Sequence, residues 1–336
     1  MQAKIGSPEV GILILNRNGK HWLEQIYESI RAQTYPNTFI YLVDNASSDE
    51  SIEFTLKSYP EVKVIKMPQN LGYCMAYNLA MPHAFADGCD WVIWANNDVR
   101  IEPTCLNELV RISQSDPKIG ILGASFLAWD KDEPNDYMTG NHPYAIDAMK
   151  SNSPDPINVE WVEGSFLMVS RRCLEAVGPL DPYLNFYWEE ADFCRRARHK
   201  GWRVVLVPKA LGRHFGGGSL NEGNGSGINW LRERNYYIYK LANPFQSFSR
   251  NLFDGVHLLL VNIKRYLPWQ MPFVRSHIQI FSGVIRDIRV IHQKWARDCK
   301  GIHPLSTTEA FKSTQVELIR RRLDSSRAQK IQCVHQ

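Results

Sequence analysis

The sequence predicts an α/β protein, a mostly parallel central sheet with helices on both faces, followed by a C-terminal helical extension. Three observations carry this. Between residues 10 and 125, β-type apolar runs alternate with amphipathic helical runs, the signature of βαβ units. Each of the four β runs ends on a polar cluster, and ligands of such sheets bind outside the carboxyl ends of the strands. After about residue 228 the alternation stops and apolar-basic helical patterns take over.

"VGILIL" (10–15) reads as a strand with no polar residue, as expected where both faces are covered. "HWLEQIYESIRAQ" (21–33) has helical spacing, and "FIYLVD" (39–44) is a second strand. Ser47, three residues before Glu50, predicts a capping box for the next helix. "VKVIKM" (62–67) is the third strand, "GYCMAYNLAMPHAF" a helix and "DWVIWA" (90–95) the fourth strand. Residues 130–157, rich in Pro, Asp and Asn, predict a long loop or short hairpins. "SFLMVS" (165–170) and "WRVVLV" (202–207) are further strands, with a helix over 189–201 between them. "INWLRERNYYIYKLA" and the segment from Phe273 to Lys300 read as helices.

The 336 residues, 44% hydrophobic and 22% charged, suit one large domain with an appendage, or two domains. A net charge of +4 is too mild for a nucleic-acid protein. Seven scattered cysteines without a C-x-x-C predict reduced thiols in the cytoplasm, not a disulfide or zinc framework. The first sixteen residues lack a signal-peptide core, and the late apolar run 256–261 is far too short to span a bilayer. A soluble protein, or one peripheral on the inner face of the cell membrane, is expected.

The strand ends are "NRNGK" (16–20), Asp44 with Asn45, "PQNLGY" (68–73), and Asn96-Asn97-Asp98. Singly, each is ordinary turn chemistry. Together on one edge they suit a nucleotide, which needs polar groups for base and ribose and a close backbone approach at glycine. Hard oxygen ligands there suit Mg2+ or Mn2+ at a diphosphate. Two competing nucleotide motifs are excluded. Gly19-Lys20 has Ile14 where a P-loop needs its first glycine, and no G-x-G-x-x-G follows the first strand.

The run "VGILILNRNG…SIRAQTYPNTFIYLVDNASSDES…VIKMPQNLGYCMAYNLA…VIWANNDV" resembles the nucleotide-binding half of glycosyltransferase family 2, of the bacterial rhamnosyltransferase type with the GT-A fold. The resemblance continues through "WVEGSFLMVSRRCLEAVGPLDPYLNFYWEEADFCRRARHKGWRVVLVPKALGRHFGGGS" and covers roughly residues 8 to 240. It implies a GT-A catalytic domain over 1–227, with a nucleotide-sugar half (8–125) and an acceptor half (126–227), and a helical extension over 228–336. It also implies donor-binding roles for Asn16, Asn18, Asp44, Asn70, Gly72, Asn96 and Asp98. Asn96 stands where the family's D-x-D element has its first Asp, which leaves Asp98 as that element's carboxylate; His214 joins it as a metal ligand. Gly164 matches a loop near the sugar, and Trp161 is either a sugar platform or a core aromatic. "YWEEADFC" matches the E-D-x-D element, with Glu189 first, Glu190 as catalytic base and Asp192 last. Acidic residues also suit a helix N-terminus for dipole reasons alone.

The implied activity is inverting, metal-dependent transfer of a hexose from dTDP-rhamnose or a UDP-sugar to a glycan or lipid-linked acceptor in cell-surface polysaccharide synthesis. The alternatives are a sugar nucleotidyltransferase, for which "NRNGK" is a poor opening loop, and a non-catalytic carbohydrate-binding protein on a degenerate transferase fold. No nucleic-acid partner is expected. Ile278, Ile280, Phe281, Ile285 and Ile288 mixed with Arg275, Arg286, Arg289 and Lys294, and a tail with Arg320, Arg321 and Arg322, predict a surface that meets anionic membrane.

Overall fold

Up to residue 96 the elements follow the predicted order: β1 (Val10–Asn16), α1 (Lys20–Arg31), β2 (Thr38–Asp44), α2 (Ser51–Ser58), β3 (Lys63–Lys66), α3 (Gly72–Ala86) and β4 (Trp91–Asn96). The computed structural model describes residues 7–216, 225–266 and 271–300, so the basic tail at Arg320 to Arg322 lies outside the described residues. β1 lies between β2 and β4, β3 lies beyond β2, and all these pairings are parallel. α1 covers the sheet with Leu23, Ile26, Tyr27 and Ile30, a face at i, i+3, i+4 and i+7.

The capping box does not form. The N-cap position of α2 is Glu50, whose side chain caps nothing, and Asp49 before it accepts from the Ser51 backbone N–H (3.1 Å). Ser47 is drawn away because its Oγ accepts from the Asn18 backbone N–H (3.0 Å) and from Asn16 Nδ2 (3.2 Å). Glu50 pairs with Lys20 instead.

β5 (Val99–Ile101), α4 (Cys105–Ser113) and β6 (Ile119–Leu127) come next. Residues 130–157 form neither a bare loop nor hairpins. They hold α5 (Asp136–Asn141), a 3-10 turn at Pro143–Ala145, α6 (Ile146–Lys150) and the two-residue β7 (Ile157–Asn158). Asn135 caps α5 by accepting from the Met138 N–H. Then come β8 (Phe166–Ser170), α7 (Arg171–Val177), α8 (Glu189–His199) and β9 (Arg203–His214). β9 runs well past the predicted end at 207. Its pairing to β6 jumps from Ala124 opposite Val207 to Ser125 opposite Leu211. Pro208 cannot donate to a ladder, so the strand bulges there and resumes.

The sheet order is β3-β2-β1-β4-β8-β6-β9-β5, with β7 also on β9. β8 is antiparallel to β4 and β6, and this decides where the site lies. Asn16 stands opposite Asp44, and Leu15 opposite Asn96, so three parallel strands end on one edge. β8 starts at that edge, with Phe166 opposite Ala95, and β9 ends there with His214 opposite Val99. The strand order reverses between β1 and β4, the place where open α/β sheets bind ligands.

The C-terminal helices are α9 (Gly225–Leu241), α10 (Phe248–Tyr266), α11 (Met271–Arg286) and α12 (Ile288–Lys300). Among the described residues, no helix is long and apolar enough to cross a membrane. Ile280 and Phe281 are not on the surface: they pack with Leu184, Tyr237, Leu241 and Ile291 in a second core. Lys294 is buried too. Its Nζ lies 3.0 Å from Asp181, 3.0 Å from Asp192 and 3.1 Å from Asp298. Asp192 also binds Arg195 (3.1 Å) and Arg196 (2.9 Å). Burial would raise the Asp192 carboxyl, but Lys294, Arg196 and Arg195 hold it far below the usual carboxylate range. Two expectations change accordingly. Lys294 is no membrane-facing cation, and Asp192 locks α8 to α12 with both oxygens engaged, so it is not open to an acceptor.

Lys294→Met removes the cation at the centre of three buried carboxylates. Breaking one side of a buried ion cluster costs about 3–5 kcal/mol, and a denaturant titration should show a loss of that order. A loss no larger than that of an ordinary surface substitution would refute the structural role.

Candidate active site

At the carboxyl edge, Asn16 is buried and both ends of its amide are used. Oδ1 accepts from Asn97 Nδ2 (2.7 Å) and Nδ2 donates to Ser47. Asn18, at φ 52°, accepts from the Ser48 N–H through Oδ1 (2.7 Å). Both brace the loop after β1, and for Asn16 this replaces the donor contact expected of it. Asp44 is different. Its fully buried side chain accepts from the Ser47 N–H at Oδ2 (3.1 Å), while Oδ1 is buried with no hydrogen-bond partner among the described residues. A buried acceptor left unpaired is costly, and a ligand donor would relieve it.

Asn45, missed among the candidates, holds the next loop. Its Oδ1 accepts from the Leu71 N–H (2.8 Å) and its Nδ2 donates to Asn70 Oδ1 (3.0 Å). Gly72 begins α3 at φ 75°, and a Cβ there would come within 1.8 Å of Asn185 Oδ1. Left-handed backbone and close approach both require glycine. The Asn96 N–H donates to Ser165 O (2.8 Å), which ties β4 to the 161–165 loop, and its half-buried side chain bonds to no described residue.

Beside this rim Asp98, Glu163 and His214 meet. His214 Nδ1 lies 2.5 Å from Glu163 Oε1, and Nε2 lies 3.4 Å from Asp98 Oδ1. Burial works against a charged imidazole, but hydrogen bonds to Asp98 and Glu163 and their charges override it and push His214 up to about 10. Glu163 also accepts from Ser165 Oγ (2.9 Å), and its Oε2 is buried without a hydrogen-bond partner among the described residues. Glu163 was not among the candidates, although it adjoins Gly164 in "WVEGS"; acidic residues are common in loops, and only the fold brings it to His214.

A hard divalent cation fits these donors in part. Among the described residues, no group of three or more His, Cys, Asp or Glu is arranged as a complete metal set. Asp98 and His214 supply one carboxylate and one imidazole nitrogen, Nε2, which lies 3.4 Å from it. Such a half-set suits Mg2+ or Mn2+ completed by phosphate oxygens, and metal binding there has to displace the His214 proton.

The acidic helix start is set by a turn in rare geometry. Asn185, Tyr187 and Trp188 have φ of 62°, 67° and 70°. Such left-handed residues persist only where their surroundings over-determine them. Asn235 on α9 does so, with Nδ2 within 2.6 Å of Leu184 O, 2.8 Å of Phe186 O and 3.0 Å of Tyr187 O. Sequence reading missed Asn235, whose signal lies inside "RERNYYIYK". Burial and the Glu190 charge raise the Glu189 carboxyl well above its ordinary range. Burial, opposed by backbone N–H groups and reinforced by the Glu163 charge, pushes Glu190 up to about 7. Each glutamate has a buried Oε2 without a hydrogen-bond partner among the described residues.

Gly164 lies against Glu190. A Cβ on it would sit 3.4 Å from Glu190 Cβ, and its carbonyl accepts from Tyr73 OH (2.7 Å). Tyr137, also missed, has a buried hydroxyl, raised by burial and the charges of Glu190 and Glu163. Trp161 is half-buried: it packs against the main core and also lines a cleft, its ring 6.3 Å from those of His142 and Trp188.

The chain is similar in sequence and fold to known proteins. A sequence model described as glycosyl transferase family 2 matches residues 10–178, half of the chain. The chain is 28% identical over 218 residues to N-acetylglucosaminyl-diphospho-decaprenol L-rhamnosyltransferase of Mycobacterium tuberculosis, covering 57% of this chain and 71% of that protein. It is 24% identical over 186 residues to the dTDP-rhamnosyl transferase RfbF of Shigella flexneri, covering 51% and 58%. In fold it is similar to the mannosyltransferase PcManGT of Pyrobaculum calidifontis, solved with GDP-Man and Mn2+. The TM-score is 0.55 at 15% identity, over 88% of this chain and 86% of that one. With its α/β sheet and the polar edge of β1, β2 and β4, the chain belongs to glycosyl transferase family 2, on the GT-A fold.

Proposed function

We propose that this transferase moves a hexose, with inversion, from a nucleotide diphosphate donor to a hydroxyl of a glycan or lipid-linked acceptor, with dTDP-rhamnose or a UDP-sugar as donor. The observation that supports it most is the convergence on one sheet edge of three groups: Asp44 with its unpaired Oδ1, the Asp98–Glu163–His214 cluster, and Glu190 near neutral pKa. In this reading residues 1–227 hold donor and chemistry, and 228–336 is the extension. Asp44 accepts from the nucleoside, Asn70 and Gly72 shape the loop beside it, and Asn96 and Asn18 offer amides to the ribose. Asp98 and His214 would hold Mg2+ or Mn2+, which when bound offsets the charge on the departing diphosphate.

Glu190 takes the proton of the acceptor hydroxyl as its oxygen bonds to the anomeric carbon. The bond from that carbon to the diphosphate breaks, and the diphosphate leaves with the electron pair. A base with pKa near 7 is poised for this at neutral pH. Glu189, more deeply buried, shapes the pocket beside it, and Gly164 leaves room for the sugar. Incubation with labelled UDP- and dTDP-sugars tests the reading. Release of nucleoside diphosphate is expected, pyrophosphate exchange would assign nucleotidyl transfer instead, and silence with every donor would favour a binding protein.

The base must be deprotonated to act, so turnover should rise with pH through about 7 and level off above. Glu190→Gln should lower turnover by about 100-fold or more and erase that rise, with UDP affinity unchanged. Near wild-type turnover in this variant would remove Glu190 from the role.

The membrane-facing surface we infer differs from the sequence expectation. Phe253, Val256, Leu260 and Val261 on α10 are exposed, as are Met271, Phe273, Ile278 and Ile285 on the packed helix α11. Lys264, Arg265, Arg275 and Arg286 are exposed on the same two helices. An apolar face rimmed by cations suits an anionic bilayer surface, where a lipid-linked acceptor resides. The protein should co-sediment with phosphatidylglycerol vesicles at low salt and much less with phosphatidylcholine. Phe253→Asp with Leu260→Asp should abolish binding, and equal sedimentation of the variant and the parent would exclude this face.

A further inference from the structure

The imidazole of His214 stands between two carboxylates, and each meets a different ring nitrogen. Glu163 Oε1 lies 2.5 Å from Nδ1, and Asp98 Oδ1 lies 3.4 Å from Nε2. The two nitrogens are not equivalent. The hydrogen bond made by one decides which of them is left to bind a metal. A carboxylate that accepts from Nδ1–H selects the tautomer whose lone pair sits on Nε2, and it holds the plane of the ring as well.

The surroundings of Glu163 suit that task. Its side chain is buried, and Ser165 Oγ donates to the same Oε1 (2.9 Å), so the carboxylate cannot turn without breaking two hydrogen bonds. The loop that carries it is pinned on both sides. The Asn96 N–H donates to Ser165 O (2.8 Å), and Tyr73 OH donates to Gly164 O (2.7 Å). Across the pair, the Phe215 N–H donates to Asp98 O (3.0 Å), which ties the end of β9 to Asp98. Two ligand atoms on adjacent corners of an octahedron, each about 2.1 Å from Mg2+, are about 3 Å apart. Nε2 and Asp98 Oδ1 are close to that spacing. Among the described residues, no group of three His, Cys, Asp or Glu is arranged to hold a metal, so Glu163 does not complete the pair as a third ligand.

We propose that Glu163 is the positioning residue of this site: by holding His214 Nδ1–H it presents Nε2 beside Asp98. This rests on the reading of Asp98 and His214 as metal ligands, and it names the side chain that sets which His214 nitrogen serves.

The first test is Mn2+ affinity of the full chain, read from the electron paramagnetic resonance signal of free Mn2+ with UDP, and in parallel with dTDP. Glu163→Ala should weaken Mn2+ by about 10–100-fold, the usual effect of removing a carboxylate behind a ligating histidine. Glu163→Gln keeps the shape and one acceptor oxygen, so it should recover most of that loss and also guards against misfolding. The second test is NMR of the full chain with 15N-labelled histidine, with the same nucleotide and Mg2+. His214, identified by its absence from the His214→Gln spectrum, should carry its proton on Nδ1, protected from solvent exchange in the parent and in Glu163→Gln but not in Glu163→Ala. The proposal is overturned if Glu163→Ala binds Mn2+ as tightly as the parent, or if Glu163→Gln binds it no better than Glu163→Ala. A His214 proton on Nε2 in the loaded parent also overturns it. A parent that binds no Mn2+ with either nucleotide sinks the metal reading of Asp98 and His214, and this inference with it; tight binding that ignores Glu163 sinks this inference alone.

Discussion

The position of Glu190 is fixed by contacts made far away in sequence, and the rest of the site is arranged around it. Asn235 on α9 holds the carbonyls of the left-handed turn just before α8. One turn into α8, Asp192 is locked to Lys294 on α12. The helix start that carries Glu189 and Glu190 is therefore held at both ends by the C-terminal helices. The extension is part of the machinery that aims the acidic pair, whatever else its outer face meets.

The second constraint is topological. Because β8 runs antiparallel beside β4, the loop with Glu163, Gly164 and Ser165 is delivered to the edge where the parallel strands end. The bulge after Pro208 lets β9 reach the same edge with His214. Glu163 then links the two halves: it pairs with His214 and helps keep Glu190 close to neutral pKa. One carboxylate thus shifts both an imidazole and a carboxyl upward, His214 and Glu190, from a single position between them.

Much of this was legible in the chain. Strands buried on both faces announce themselves by unbroken apolar runs, as at residues 10–15 and 91–95, and their polar ends mark the ligand edge. Local pattern failed where distant partners compete for a residue. Ser47 looks like a helix cap but serves the β1 loop, and Asp192 looks like a site residue but belongs to a buried ion cluster. Asn45, Glu163 and Asn235 were missed because each acts on backbone or side chains that only the fold brings near. On the helices, charge and apolarity alone could not tell the buried Lys294 and Phe281 from the exposed Arg286 and Phe253.

The central claim is that one base, Glu190, drives a single displacement at the anomeric carbon without a covalent intermediate. The stereochemistry of the product tests it most directly. With the donor that the protein turns over, the one-bond C–H coupling at the new glycosidic carbon reports the anomer formed. A product of opposite configuration to the donor is predicted. A product with the donor's configuration would require two displacements or front-face attack, and would contradict the account.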